Sequence, residues 1–194
     1  MTSLFYVWLP SAFGPLGLVW QETEKGPRVH RVLLPGEPAA AGHLIEMRSA
    51  DLIRLSVPAM ATLGEQMQRF LEGEAVDFDL DLVALERCSA FQERVLLAEH
   101  QIPRGWVSTY GRMAATLGIP GGARAVGRAL ACNPFPILIP CHRTIRAHGE
   151  LGGFRGGLEM KRALLELEGV EFSQTGRVLM RKVYYDSPHH KPGQ

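Results

Sequence analysis

The sequence predicts an α+β protein: a small N-terminal β-sheet with a helix, then a mostly helical domain with a helix-turn-helix and a candidate active-site cysteine. Three observations predict this. Aromatic and β-branched runs broken by Gly-Pro pairs fill the first 35 residues, apolar residues recur at helical spacing from about residue 50, and the charge changes sign between the two halves. Residues 1–100 carry 8 Lys+Arg against 14 Asp+Glu, or −6, whereas residues 101–194 carry 13 against 6, or +7.

The bulk composition excludes several classes. With 46% hydrophobic and 21% charged residues, the 194-residue chain can bury a sizeable core, which excludes disorder for most of it. Its longest apolar runs, such as Phe135–Ile139, fall far short of the ~20 residues of a bilayer helix. The N-terminus lacks a basic stretch followed by an apolar one and a cleavage site, so a cytoplasmic protein with no membrane partner is expected. Three cysteines, at 88, 132 and 141, are too few for a disulfide scaffold and read as free thiols.

Taken in order, Phe5–Leu9 and Leu16–Trp20 read as strands joined by the turn at Gly14-Pro15, and Val29–Leu34 as a third strand before Pro35-Gly36. From Ala50, the residues Leu52, Leu55, Met60, Leu63, Met67, Phe70 and Leu71 follow helical spacing, with Pro58 marking a boundary and Gly73 an end. The alternating Val76–Leu80 is either a last strand or an extended linker. A domain boundary near residue 85 gives an N-terminal supporting domain over 1–85, a second domain over 86–186 and a flexible tail over 187–194.

In the second domain Ser89 is an N-cap before Phe91, Val95 and Leu96, and Ile102–Gly105 ends that helix. Ser108 or Thr109 caps a helix through Met113 and Leu117. Gly118–Gly122 then forms a turn, and a third helix runs from about Ala123 to Cys132, stopped by Asn133-Pro134. Helix, Gly-containing turn and a helix with Arg124 and Arg128 near its start outline a helix-turn-helix, an arrangement that many helical proteins also contain without binding DNA. The basic half suits a surface that meets phosphates, or equally one that attracts the acidic half. A last helix spans Leu158 to Glu168.

The stretch Asn133–Arg143 is the richest in chemistry. An apolar, strand-like run ends at Pro140 and delivers Cys141-His142 to an accessible place. A thiol attacks as its thiolate and needs a base or positive surroundings, which His142 and Arg143 supply. The competing reading is a small buried cysteine with a packing role.

Pro140-Cys-His-Arg143, with Asn133–Ile139, Ala123-Arg-Ala-Val-Gly127, Val107–Gly111, Gly152–Leu158 and Leu164–Gly169, closely resembles the O6-alkylguanine-DNA alkyltransferases, or methylated-DNA–protein-cysteine methyltransferases. The resemblance covers roughly residues 88–172. It implies irreversible transfer of an alkyl group from O6 of guanine in double-stranded DNA to Cys141, by a monomer without a cofactor. It assigns His142 as a base acting through water, Glu168 as its orienter, and Asn133 as the residue that fixes the active-site turn. Asn133 can equally be a plain helix stop.

The resemblance also implies that Tyr110 promotes nucleotide rotation and that Arg124 fills the vacated space, with Ala123 and Gly127 on the DNA-facing helix. Pro136, Phe154 and Arg155 are expected to line the substrate pocket. Two departures stand out. Phe154 replaces a Tyr whose hydroxyl would serve the leaving guanine, and Arg155 follows it where small residues are common, able to narrow the pocket, reach a phosphate or restore a donor. Thr144 replaces a Val or Ile. Residues 1–87 have no cysteine and only His30 and His43, so no zinc site of the family type is expected. A non-catalytic alkylguanine-DNA binding protein is the alternative, and a cysteine hydrolase a third.

Overall fold

The structure, a computed structural model, describes residues 3–35 and 52–185; His43 and the tail at 187–194 lie outside them. The chain divides into two compact units, one of Met1–Leu85 with Pro134–Leu138 and one of Glu86–Asn133 with Ile139–Gln194. The segment Pro134–Leu138 therefore groups with the N-terminal residues, which a single cut near residue 85 does not anticipate.

In the first unit, strands β1 (Leu4–Leu9), β2 (Leu16–Thr23), β3 (Gly26–Leu33) and β4 (Leu52–Arg54) form one sheet in the order β3-β2-β1-β4. The β1–β2 and β2–β3 pairs are antiparallel, with Phe5 opposite Trp20 and the two rings 4.6 Å apart. Trp20 is fully buried, and its indole Nε1 donates to Leu55 O. The edge strand β3 is covered where Val32 N donates to Pro134 O at 2.8 Å, which satisfies an edge amide.

Helix α1 (Pro58–Leu71) starts later than its apolar spacing suggests. Leu52–Arg54 is a strand held in parallel against β1, and the helix cannot begin before Pro58, because proline disfavours helical backbone in the residue before it. Val57 accordingly stays extended at φ −115°, ψ 160°, and Pro58 opens the helix. The helix buries Met60, Leu63, Met67, Phe70 and Leu71. It lies so close to β1 that a Cβ on Gly64 would fall 2.6 Å from Leu9. Val76–Leu80 forms no strand, so it is the extended linker; within it Phe78 is buried against Phe70.

The second unit begins with α2 (Ala90–His100), whose N-cap Ser89 accepts from Gln92 N. Then follow β5 (Ser108–Thr109), α3 (Tyr110–Thr116) and α4 (Ala123–Ala131), the two helices of the helix-turn-helix. Of the two candidate caps for α3, Thr109 accepts from Arg112 N, while Ser108 donates to Tyr184 O. Short strand β6 (Thr144–Ile145) pairs in parallel with β5, and α5 (Gly157–Leu167) closes the unit. Its core gathers Val107, Ile145, Leu165, Val170 and Val178.

The run before Cys141 departs from the strand expected there. Prolines 134, 136 and 140 have no N–H to give a ladder, and Ile137 takes φ 74°, a region a β-branched residue seldom enters. The run is irregular, and Cys141–Arg143 forms a single 3₁₀ turn between it and β6. Among the described residues no helix is long and apolar enough to cross a membrane.

Candidate active site and nucleic-acid face

Cys141 is half-buried and free, on the first position of the 3₁₀ turn. Asn133, at the end of α4, is buried and ties the chain around it: its Nδ2 donates to Ile139 O at 3.1 Å, and its side chain also reaches the thiol. Burial pushes the thiol up to about 11, against the pull of the Asn133 hydrogen bond and the charges of Lys161 and Arg155. Cys141 at rest is therefore a thiol.

His142 and Arg143, next on the turn, point inward onto Glu168, the residue that ends α5. His142 Nε2 lies 3.0 Å from Glu168 Oε1, and Arg143 Nε and Nη2 donate to the same carboxylate at 2.9 and 2.8 Å. Burial alone would raise the Glu168 carboxyl, but His142 and Arg143 outweigh it and hold it down at about 2. A carboxylate acceptor at Nε2 directs that hydrogen toward it and makes Nδ1 the basic nitrogen. Glu168 makes the ring a stronger base, as its charge should, but burial outweighs it and lowers the His142 pKa below its usual range, so the ring is held neutral and oriented.

Arg143 further donates from Nη1 to Ile102 O at 2.6 Å, which locks the turn to the end of α2. This is a structural use for a side chain that sequence reasoning offers only as positive surroundings for the thiol.

The wall opposite the turn is formed by Gly152–Arg155. Phe154 is half-buried, its ring edge-on to His142 with centroids 6.4 Å apart. Arg155 Nη1 donates to Asn133 O at 2.7 Å. Of the roles open to Arg155 from sequence, this contact places its guanidinium at the active-site turn, where its charge favours the thiolate. Pro136 is buried within the segment that groups with the N-terminal unit.

Tyr110 opens α3 and sits between α4 and this wall. A Cβ on Gly127 would approach its ring at 3.7 Å, and one on Gly152 would reach its hydroxyl oxygen at 2.9 Å. Burial, with the charges of Glu99 and Cys141, pushes its phenol up to about 12, so it stays neutral. On α4, Val126, Ala129 and Leu130 face the core. Arg124, Ala125 and Arg128 are exposed and Ala123 half-exposed, which leaves a cationic face with little side-chain bulk.

Two site residues escape sequence reasoning. Glu99 and Lys161 are both fully buried beneath the turn. Glu99 follows Val95 and Leu96 at helical spacing, and Lys161 precedes Leu164 and Leu165 in the same way, so charged residues on apolar stripes are the signal that could have found them.

The class defined by fold and site is an α+β protein with a helix-turn-helix pair of helices beside a Cys–His–Glu arrangement. Residues 90–170 match the 6-O-methylguanine DNA methyltransferase DNA-binding domain. A methylated-DNA–protein-cysteine methyltransferase of Haemophilus influenzae is 30% identical over 189 residues, 97% of this chain and 99% of that one. Namesakes from Methanothermobacter thermautotrophicus and Mycobacterium bovis are 46% and 47% identical over 59% and 54% of this chain; the match spans only 65% and 62% of their length. The crystal structure of Mycobacterium tuberculosis OGT in complex with DNA superposes with TM-score 0.66 at 33% identity, covering 86% of this chain and 92% of that one. The chain belongs to the methylated-DNA–protein-cysteine methyltransferase family.

Proposed function

We propose that the protein repairs DNA by taking an alkyl group, such as methyl, from O6 of guanine in duplex DNA onto Cys141 Sγ. The sulfur–carbon bond forms as the O6–carbon bond breaks, and the thiol proton, relayed through the neutral His142, ends on the restored guanine. The thioether is not hydrolysed, so each molecule acts once, as a monomer without a cofactor, in the cytoplasm. The observation that carries this reading is the turn itself: a thiol held by Asn133, followed by a base locked on a buried carboxylate.

Residues 86–186 bind DNA and transfer the alkyl group, and residues 1–85 support them. The target atom is inside the base stack, so the nucleotide must rotate out. Tyr110 promotes the rotation, and the exposed Arg124 fills the gap. Ala123 and Gly127 let α4 approach the minor groove closely, where readout carries little sequence information. Phe154 and Arg155 wall the alkylguanine pocket.

Incubation with a duplex oligonucleotide containing O6-methylguanine, followed by intact mass, tests the reading. A stoichiometric gain of one methyl group, absent in Cys141→Ser, supports it. Binding without a mass gain would identify a non-catalytic alkylguanine-DNA binder, and turnover of an ester or amide would sink both.

A further inference from the structure

Arg146 stands on the rim of the site and takes no part in the reaction as described above. It follows β6, and its amide donates to Glu150 O at 2.8 Å, which closes a short loop over residues 146–150. The loop is fixed on its far side. Val178 N donates to Gly149 O at 2.8 Å, and a Cβ on Gly149, which holds φ +80°, would meet Val178 O at 2.5 Å. The Arg146 stem is also set in place. A Cβ on Gly152 would lie 3.4 Å from its Cγ and 2.9 Å from the Tyr110 hydroxyl oxygen, so the arginine and the tyrosine border the same glycine, where the wall begins.

The guanidinium at the end of that stem is lightly engaged. Its Nη1 lies 3.8 Å from Glu150 Oε2, too far for a hydrogen bond, and the two side chains are 65% and 48% exposed. An exposed pair of this kind contributes little. Glu150 also has a second partner, because Arg177 Nη2 donates to its Oε1 at 3.4 Å. Arg146 can therefore turn away without stranding the carboxylate. A planar fork of N–H donors, suited to phosphate oxygens, is thus held in solvent beside Tyr110.

We propose that Arg146 binds a backbone phosphate of the rotated nucleotide, exchanging its long contact with Glu150 for a charge-assisted one with DNA. The inference rests on the proposed reading, in which the base turns past Tyr110 toward Cys141. The base then enters between the turn and the Gly152–Arg155 wall, while its sugar and charged phosphates remain in water at the rim, where Arg146 is. Arg124 fills the place that the base has left; Arg146 holds the part of the nucleotide that has moved. The contact exists only for a rotated nucleotide, so it favours damaged sites over DNA at large.

The test uses O6-methylguanine duplexes that carry a neutral methylphosphonate in place of the phosphate on the 5′ or the 3′ side of the damaged nucleotide. Affinity is measured for the full chain with Cys141→Ser, alone and combined with Arg146→Ala or Arg146→Gln, and methyl transfer by the parent is followed on the unmodified duplex. Neutralising one of the two phosphates weakens binding by the Cys141→Ser protein about tenfold, the size of a charge-assisted hydrogen bond. Either Arg146 variant weakens binding to the unmodified damaged duplex by a similar factor, and the methylphosphonate then costs nothing more. Undamaged duplex is bound equally with and without Arg146. A methylphosphonate effect that is the same with and without Arg146, or absent at both positions, overturns the inference, as does an equal loss on damaged and undamaged duplex. No methyl transfer by the parent, with the Arg146-dependent methylphosphonate effect intact, would sink the repair reading and leave the Arg146 contact supported.

Discussion

The Glu168 carboxylate and the His142 ring face each other at 3.0 Å with both side chains sealed from solvent. Because Arg143 shares that carboxylate, one buried acid orients the His142 ring and anchors the turn that carries Cys141.

Loss of that acid should therefore cost both activity and stability. Removing one partner of a buried pair costs about 3–5 kcal/mol, so Glu168→Ala should unfold at a much lower denaturant concentration at pH 7. Folding depresses the Glu168 pKa to about 2 from the ~4.3 of a free glutamate, so its stabilisation is present above about pH 4.3 and is lost as pH falls toward 2. The parent should lose stability steeply through that window in urea titrations, and Glu168→Gln much less.

How much of this was legible beforehand follows from which interactions are local. Ser89, Thr109 and the glycines of the helix-turn-helix act on their own neighbours, so caps and helix order were readable. Strand β4 was not, because Leu52–Arg54 is extended only by pairing with β1, some 48 positions away in the register Leu4↔Leu52. The same applies in the site. Cys141-His142-Arg143 is contiguous and visible, whereas Glu99, Thr144 and Lys161 meet only after α2, β6 and α5 pack, and the direction of the His142 shift depends on burial that no motif records.

Arg155 should aid the transfer through its charge at Cys141. Its guanidinium, donating to Asn133 O, favours the thiolate, and Arg155→Ala should slow methyl transfer by roughly three- to tenfold, in line with a charge-assisted contact worth about 1 kcal/mol. Phe154→Tyr should speed the transfer. Single-turnover rates on an O6-methylguanine duplex decide this; an unchanged rate in both variants would remove Phe154 and Arg155 from the chemistry.

Arg124 is exposed on the first turn of α4, and its proposed function exists only when a nucleotide has left the stack. Arg124→Ala should slow repair of duplex by tenfold or more, since unstacking costs a few kcal/mol, and leave reaction with free O6-benzylguanine unchanged. Equal losses on both substrates would contradict the role.

Gly152 and Gly127 both border Tyr110 and should respond in opposite ways to alanine. Gly152 holds φ +71°, and an added Cβ would lie 2.9 Å from the Tyr110 hydroxyl oxygen, so Gly152→Ala combines backbone strain with displacement of that ring. It should destabilise the protein by more than ~1 kcal/mol and, on the proposed role of Tyr110 in nucleotide rotation, slow duplex repair more than free-base alkylation. Gly127 lies within α4, where the new methyl would rest 3.7 Å from the same ring, an ordinary contact. Gly127→Ala should therefore raise stability by about 0.5–1 kcal/mol through helix propensity. The pair is compared by chemical denaturation and by duplex against free-base rates. If Gly152→Ala leaves both rates unchanged, the position of Tyr110 against the Gly152–Arg155 wall has no part in nucleotide rotation.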